Sequence, residues 1–172
     1  MSERRRRKID VSFGDMPDIR TATRKDWRFI EDCYAEAVAQ IQVPVDLDAN
    51  DILRINGLVD SVYSQARFDY AIAKKMSKRY ERRLANAKKT LKLTFKKEKG
   101  QTADDRDALI TQYLLTIPLQ GDKEPLLKLV EKWEEREIFM DAVLDNLTKI
   151  SDRLINGNGA LKLNSQGRGD TR

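Results

Sequence analysis

The sequence predicts an all-α protein, and three observations lead to this prediction. Apolar residues recur every three or four positions over most of the chain, which is the period of an amphipathic helix. No segment alternates apolar and polar residues for more than a few positions, as a half-buried strand would. The 172 residues are 35% charged and 40% hydrophobic, a composition suited to helices that bury a single stripe. This length allows one domain, or a small domain with arms.

The first 22 residues are expected to form a flexible basic arm. They are polar and show no sustained apolar period, and Gly14 and Pro17 interrupt any regular element. Five consecutive cations, from Arg4 to Lys8, stand near the start of this arm. No apolar stretch follows these charges, so we do not expect a signal peptide.

Residues 23–47 are expected to form a short helix followed by an extended linker. Thr23 can cap a helix over about residues 24–41. Its apolar side chains recur at helical spacing and are Trp27, Ile30, Tyr34, Val38 and Ile41. Pro44 removes a backbone donor and forces the residue before it into an extended conformation, which separates this helix from the next.

The helical pattern then continues without a break for about fifty residues. We expect one helix over residues 48–99, because no proline interrupts the pattern and Gly100 supplies a stop. Such a helix measures about 70 Å, whereas a compact globule of 172 residues measures about 40 Å across. The helix must therefore project or pack against other copies or partners, so we expect an elongated, oligomeric protein. Its apolar stripe consists of Ile55, Val59, Val62, Ala66, Tyr70, Ala73, Met76, Tyr80, Leu84, Ala87, Leu91 and Phe95.

A short helix is expected after Gly100. Thr102 or Asp104 can cap its start, because both side chains accept hydrogen bonds from free backbone N–H groups. It would cover residues 103–117 and end before Pro118, which cannot continue it.

A return helix is expected to complete a hairpin. It covers about residues 124–155, and the Asn-Gly-Asn-Gly sequence at 156–159 is expected to end it. Residues 164–172 are polar and rich in glycine, and we expect them to be disordered. Residues 48–163 would then form an antiparallel helical hairpin, with the return helix lying along part of the long one.

A run of cations marks the second half of the long helix. Between residues 74 and 99, twelve Lys or Arg residues are opposed only by Glu81 and Glu98, so this segment carries +10 in a chain of net charge +5. At about 100° per residue, the cations occupy one side of the helix and the apolar stripe the other. The candidate binding residues are Lys74, Lys75, Lys78, Arg79, Arg82, Arg83, Lys88, Lys89, Lys92, Lys96, Lys97 and Lys99.

This cationic face indicates a polyanionic partner. A solubilising helix face normally pairs Glu with Lys at i,i+4, whereas neighbours here are alike, as in Lys74–Lys78–Arg82. Each like pair destabilises the helix slightly, so we infer that a partner neutralises the face. Nucleic acid is the favoured partner, and an acidic protein surface or an anionic membrane are the alternatives. No base-reading motif is present, so the contacts would be to phosphates and independent of sequence.

The composition argues against an enzyme. The chain has no histidine, which removes imidazole bases and His-containing metal sites. Cys33 is its only cysteine, so neither an intrachain disulfide nor a cysteine-cluster metal site can form. The sequence contains no glycine-rich phosphate loop and no apolar run of about 18–20 residues. We therefore expect a non-enzymatic, cytoplasmic protein with no cofactor, no metal and no membrane partner.

The sequence LKLTFKKEKG occupies residues 91–100, at the end of the long basic helix. This segment resembles the UvsY-type recombination mediator proteins of tailed phages, and it stands where that family has a basic segment linked to binding of single-stranded DNA. Leu91, Lys92 and Gly100 match the family's pattern. Thr94 stands where the family has arginine, and a Lys-Glu pair replaces its two aromatic residues.

A second segment, RLINGNGALKLN at residues 153–164, is similar to the closing turn of the same family. The resemblance covers residues 48–164 and implies a non-enzymatic protein. Members of the family form ring-like homo-oligomers, bind single-stranded DNA, and help to load a RecA-type recombinase onto DNA coated by single-strand-binding protein. The resemblance thus implies that the cations of residues 74–99 hold a single strand, in the host cell cytoplasm if the protein is phage-encoded.

Two other functions fit the same residues. One is a phage structural or assembly protein whose cationic face meets an acidic protein surface. The other is a protein that bridges double-stranded DNA. Both use the same charges, so the preference for single or double strands separates the mediator from the bridging protein.

Overall fold

The computed structural model describes residues 13, 15–41, 43, 48–95 and 101–167, with the side chains of 158 and 160–167 excluded. The described residues contain α-helices and no strand, which confirms the all-α prediction. The helices are α1 (Arg24–Gln40), α2 (Ala49–Thr94), α3 (Ala103–Thr116) and α4 (Leu126–Gly167). In the part of the chain that is described, no helix combines the length and apolar character needed to cross a membrane.

The chain divides into two compact units. The first, here called the α1 unit, contains the described residues up to Asp69 and those from Met140 onward. The second, here called the α3 unit, comprises Tyr70–Phe139. Both α2 and α4 contribute residues to each unit, because the division falls inside these two helices.

The α1 unit has an apolar core, contributed by α1, α2, α4 and residues that flank α1. Thr23 caps α1 as predicted: its side chain accepts a hydrogen bond from the backbone of Asp26, and the Asp26 carboxylate accepts one from the Thr23 backbone. The buried apolar residues in this unit are Ile19, Ala22, Trp27, Ile30, Tyr34, Ala37, Ile41, Ile52, Ile55, Val59, Val62, Ala66, Met140, Val143, Leu147 and Leu154.

The end of the predicted arm differs from the prediction. Ile19 is 2% exposed and Ala22 is 4% exposed, and a turn closed by the Asp18 carbonyl precedes α1. These two apolar side chains lacked a helical period, so the sequence offered no reason to bury them. Arg4 to Lys8, the cations of the arm, lie outside the described residues, as does most of the linker before α2.

The α3 unit is built around a smaller apolar cluster. Ile110 and Leu114 of α3 and Leu126 of α4 are almost completely buried. The second half of the predicted stripe of α2 packs against them, with Leu84, Leu91 and other partly buried side chains. Thr102 caps α3, and its reciprocal bonds with Asp105 repeat the motif that begins α1. Gly121, with φ 88°, lies in the turn before α4, where its positive φ favours glycine.

The C-terminal ends of α2 and α4 were predicted at residues 99 and 155. The described part of α2 ends at Thr94, and the predicted continuation to residue 99 falls largely on residues that are not described. The fourth helix passes through 156–159 and ends at Gly167, so the expected stop at residue 155 is wrong. Glycine ends a helix when it adopts a left-handed conformation, but neither Gly157 nor Gly159 has a positive φ. Each glycine lowers helix propensity by about 1 kcal/mol without forbidding the helix.

Candidate nucleic-acid interface

The second half of α2 carries nine of the twelve predicted binding residues. Lys96, Lys97 and Lys99 lie outside the described residues. Over residues 70–95 the apolar stripe of α2 is buried or half-buried, whereas most of the cations are exposed. Packing the stripe against α3 and the start of α4 therefore turns the opposite side of α2 towards solvent.

Five of these cations form one exposed strip, which we call the cationic sector. Successive residues of a helix differ by about 100°, so the five lie within about 100° of one another around the axis of α2. They extend for about 21 Å along the helix at 1.5 Å per residue. All five are exposed, and within the described residues none forms an ion pair. The cationic sector consists of Lys75, Lys78, Arg79, Arg82 and Lys89.

Arg83 is bound within the α3 unit. Its Nη1 and Nη2 donate to the two carboxylate oxygens of Asp122, at 2.9 and 2.7 Å, and the Asp122 side chain is only 8% exposed. This bidentate bond raises the pKa of the Arg83 guanidinium. The guanidinium also lies 5.4 Å from the ring centre of Tyr80. Arg83 thus ties the turn before α4 to α2.

Lys92 and Lys74 also have partners within this unit. Lys92 Nζ donates to Asp107 Oδ2 at 2.7 Å, and both side chains are nearly half exposed. That hydrogen bond, with the charges of Lys92, Arg106 and Lys88, lowers the pKa of the Asp107 carboxyl. Lys74 Nζ donates to the hydroxyl of Tyr70 at 3.0 Å and lies 5.0 Å from its ring centre.

The cationic sector can bind phosphates but offers no geometry for reading bases. Lys and Arg side chains on one exposed helix face contact a polyanion wherever its phosphates pass. The sector contains no aromatic side chain on which a base could stack. Leu93, 82% exposed, lies on the same side of α2 and supplies the nearest apolar surface. Within the described part of the chain, no group of acidic or cysteine side chains could hold a metal ion.

A buried polar cluster in the α1 unit was missed by the sequence analysis. Asp69 is 4% exposed, and its Oδ2 accepts hydrogen bonds from the Tyr34 hydroxyl at 2.6 Å and from Gln65 Nε2 at 3.2 Å. Burial raises the pKa of the Asp69 carboxyl and, together with the bond to Asp69, that of the Tyr34 hydroxyl. The sequence did indicate that Asp69 would be buried, because it follows Ala66 by three residues and precedes Ala73 by four, which places it on the apolar stripe.

Two further buried polar residues were also missed, both in the α3 unit. Arg136 and Ser77 are each 1% exposed, and the Arg136 guanidinium lies 4.7 Å from the ring centre of Trp133. The buried apolar residues Trp133 and Met140 of α4 are seven positions apart, instead of the three or four of a regular stripe. A buried helix face requires a side chain about halfway along that gap, and Arg136 occupies the position.

The chain gave no match in comparisons with protein-family models, with curated proteins and with solved structures. The function of the protein is therefore inferred from its residues and from their arrangement.

Proposed function

We propose that this protein is a non-enzymatic mediator of recombination that binds single-stranded DNA through the cationic sector of α2. The observation that carries the proposal is the separation of the two sides of this helix. One side packs into the α3 unit, and the other exposes five cations without an ion pair among the described residues. A solubilising surface has no need of so uniform a charge, because mixed charges would also stabilise the helix.

In this proposal the protein captures the sugar–phosphate backbone. Several copies, assembled as a ring-like oligomer of elongated helical hairpins, hold one strand so that a RecA-type recombinase can nucleate on it, displacing single-strand-binding protein. The resemblance of residues 91–100 and 153–164 to the UvsY-type mediators supports the choice of a recombinase. The host cell cytoplasm would be the site of action. Backbone capture suits this role because a mediator must accept any sequence.

The proposal is tested by the salt dependence of binding to a labelled oligo-dT strand. If one protomer neutralises about four to six phosphates, the logarithm of the association constant should fall with the logarithm of salt at a slope of about −3 to −4. Fluorescence anisotropy between about 50 and 300 mM salt measures this slope, with unlabelled duplex as competitor. Poor competition by duplex supports the mediator, and equal competition indicates the bridging protein instead.

A triple variant locates the site. Replacing Lys78, Arg82 and Lys89 by Ala should reduce the magnitude of the slope by about 2, because each lost phosphate contact removes about 0.7. The matched control replaces by Ala three exposed cations that do not belong to α2, and it changes the net charge equally. These are Lys123, Lys128 and Arg153. Equal effects of the two variants would contradict a site on α2.

A structural or assembly protein is the second candidate, and one observation favours it. Arg83 and Lys92 already bind carboxylates within the chain, so this face accepts acidic protein groups. An acidic partner surface would then cover the cationic sector. Assembly that persists at high salt, with no binding of DNA at low salt, would support this candidate over the mediator.

A further inference from the structure

Asp107 of α3 lies beside Lys92, near the C-terminal end of the described part of α2. Its Oδ2 accepts the hydrogen bond from Lys92 Nζ at 2.7 Å. Lys88 and Arg106 act on the same carboxylate through their charges, and the three cations together lower its pKa. An anionic group is therefore already stabilised at this point, next to the cationic sector of α2.

The carboxylate is held in a way that allows its displacement. The side chains of Lys92 and Asp107 are 45% and 46% exposed, and exposed ion pairs contribute little to stability. Asp107 Oδ1 is shielded from solvent and has no hydrogen-bond partner in the described part of the chain. A phosphate oxygen is also an anionic acceptor for Lys, and a phosphate brings further acceptor oxygens.

The pair between Arg83 and Asp122 shows the opposite properties. It is bidentate, and Asp122 is 8% exposed against 46% for Asp107. Breaking it would leave a mostly buried carboxylate without its partner, which is strongly unfavourable. Of these two ion pairs, the one with Asp107 can exchange its anion at low cost, and the one with Asp122 cannot.

We propose that Lys92, assisted by Lys88, forms an additional phosphate site for the bound strand, and that Asp107 fills this site until a phosphate displaces its carboxylate. The inference rests on the proposed function, since it adds a site and a competitor to the same face. Asp107 thereby acts as an internal competitor that weakens binding and limits the number of phosphates held. A strand that engages the whole face must break the contact between α3 and α2 at this point.

The test compares wild type with Asp107→Asn in the oligo-dT titration. Asn keeps the size of the side chain but removes its charge, so Lys92 becomes available to phosphate. We expect binding to tighten about two- to fivefold, the range that corresponds to an exposed ion pair. The salt slope should steepen by about 0.7, because one more phosphate is neutralised.

Two controls separate this site from a general change in charge. Asp104→Asn removes the same charge from the first turn of α3, at a residue that forms no ion pair with the described part of the chain, and should leave the slope unchanged. In a Lys92→Ala background, Asp107→Asn should no longer steepen the slope, because the two residues act as a pair.

The results of these titrations test the additional phosphate site and the proposed function separately. An unchanged affinity and slope in Asp107→Asn, with normal binding by wild type, overturns the additional site but leaves the proposed function intact. A gain that persists without Lys92 also overturns it. Failure of wild type to bind oligo-dT even at low salt overturns the proposed function, and the additional site with it.

Discussion

The α1 unit buries a carboxylate, whereas the α3 unit buries a guanidinium and exposes a strip of cations. Asp69 of the first is held by the hydroxyl of Tyr34 and the amide of Gln65, and Arg136 of the second lies against Trp133. Counted over the sequence, Tyr70–Phe139 contains 17 Lys or Arg and 11 Asp or Glu, while the rest of the chain contains 16 and 17. The excess of positive charge thus belongs to one unit.

The comparison separates charge that contributes to stability from charge that is available for binding. The buried carboxylate of the α1 unit is satisfied by uncharged donors, so its bonds belong to the interior and to no external partner. The cationic sector of the α3 unit contributes nothing to its own core, because the opposite side of α2 does the packing. Binding and folding can therefore be altered separately.

The largest expected effects come from the two apolar cores. Leu126→Ala in the α3 unit and Leu154→Ala in the α1 unit truncate two buried leucines of α4, which are 0% and 1% exposed, respectively. We expect each to lower the free energy of unfolding by about 2–5 kcal/mol, through lost burial and a residual cavity. Urea unfolding measures this loss. Leu93→Ala is the control, since Leu93 is 82% exposed and should change stability by less than about 0.5 kcal/mol.

These paired variants also compare the units directly. Hydrogen exchange should show the larger loss of protection in the unit that carries the truncated leucine. Equal losses throughout both units for both variants would contradict their description as separate compact bodies.

The next largest effect concerns the buried carboxylate. Tyr34→Phe removes the hydroxyl that donates to Asp69, and we expect a loss of about 1–3 kcal/mol at neutral pH, because a buried acceptor loses a partner. The folded pKa of Asp69 is raised above the ordinary value of 3.8. Its contribution to stability is therefore fully present below the unfolded pKa, with the carboxyl protonated, and is lost as pH rises through the folded pKa.

The variant should make this pH dependence stronger. The Tyr34 hydroxyl bond favours the carboxylate and lowers its pKa, so removing the bond costs more at high pH than at low pH. Urea unfolding at several values between about pH 4 and pH 8 measures the difference. Tyr63→Phe is the matched control, because Tyr63 is half-buried in the same unit. A loss that does not vary with pH would show that Asp69 is not the group that titrates.

The smallest expected effects come from the N-terminal capping motif that α1 and α3 share. Thr23→Ala and Thr102→Ala each remove an N-cap side chain that accepts a backbone hydrogen bond, from Asp26 and Asp105 respectively. Each should cost about 1 kcal/mol in unfolding free energy, as loss of such a cap usually does. Thermal unfolding measures the loss, and Thr→Ser at each position should retain most of the stability. A cap that can be removed without any loss would mean that packing alone holds the first turn.

The helical class of the chain and the two sides of α2 follow from local sequence patterns. Helical periodicity and capping are local properties, so the all-α class, the caps Thr23 and Thr102 and the packing stripe could be predicted from neighbouring residues. The cationic sector follows from the same periodicity, because residues placed opposite a buried stripe face solvent.

Which charged side chains have partners within the chain depends on the packing of distant segments. Arg83 and Asp122 are separated by 39 positions and Tyr34 and Asp69 by 35, and no local pattern brings such residues together. Helical spacing placed Asp69 and Arg136 on buried faces, but the sequence did not show that a Tyr hydroxyl and a Trp ring would receive them. The position of a side chain around its helix is set by the local backbone geometry, whereas its partner depends on how distant segments pack.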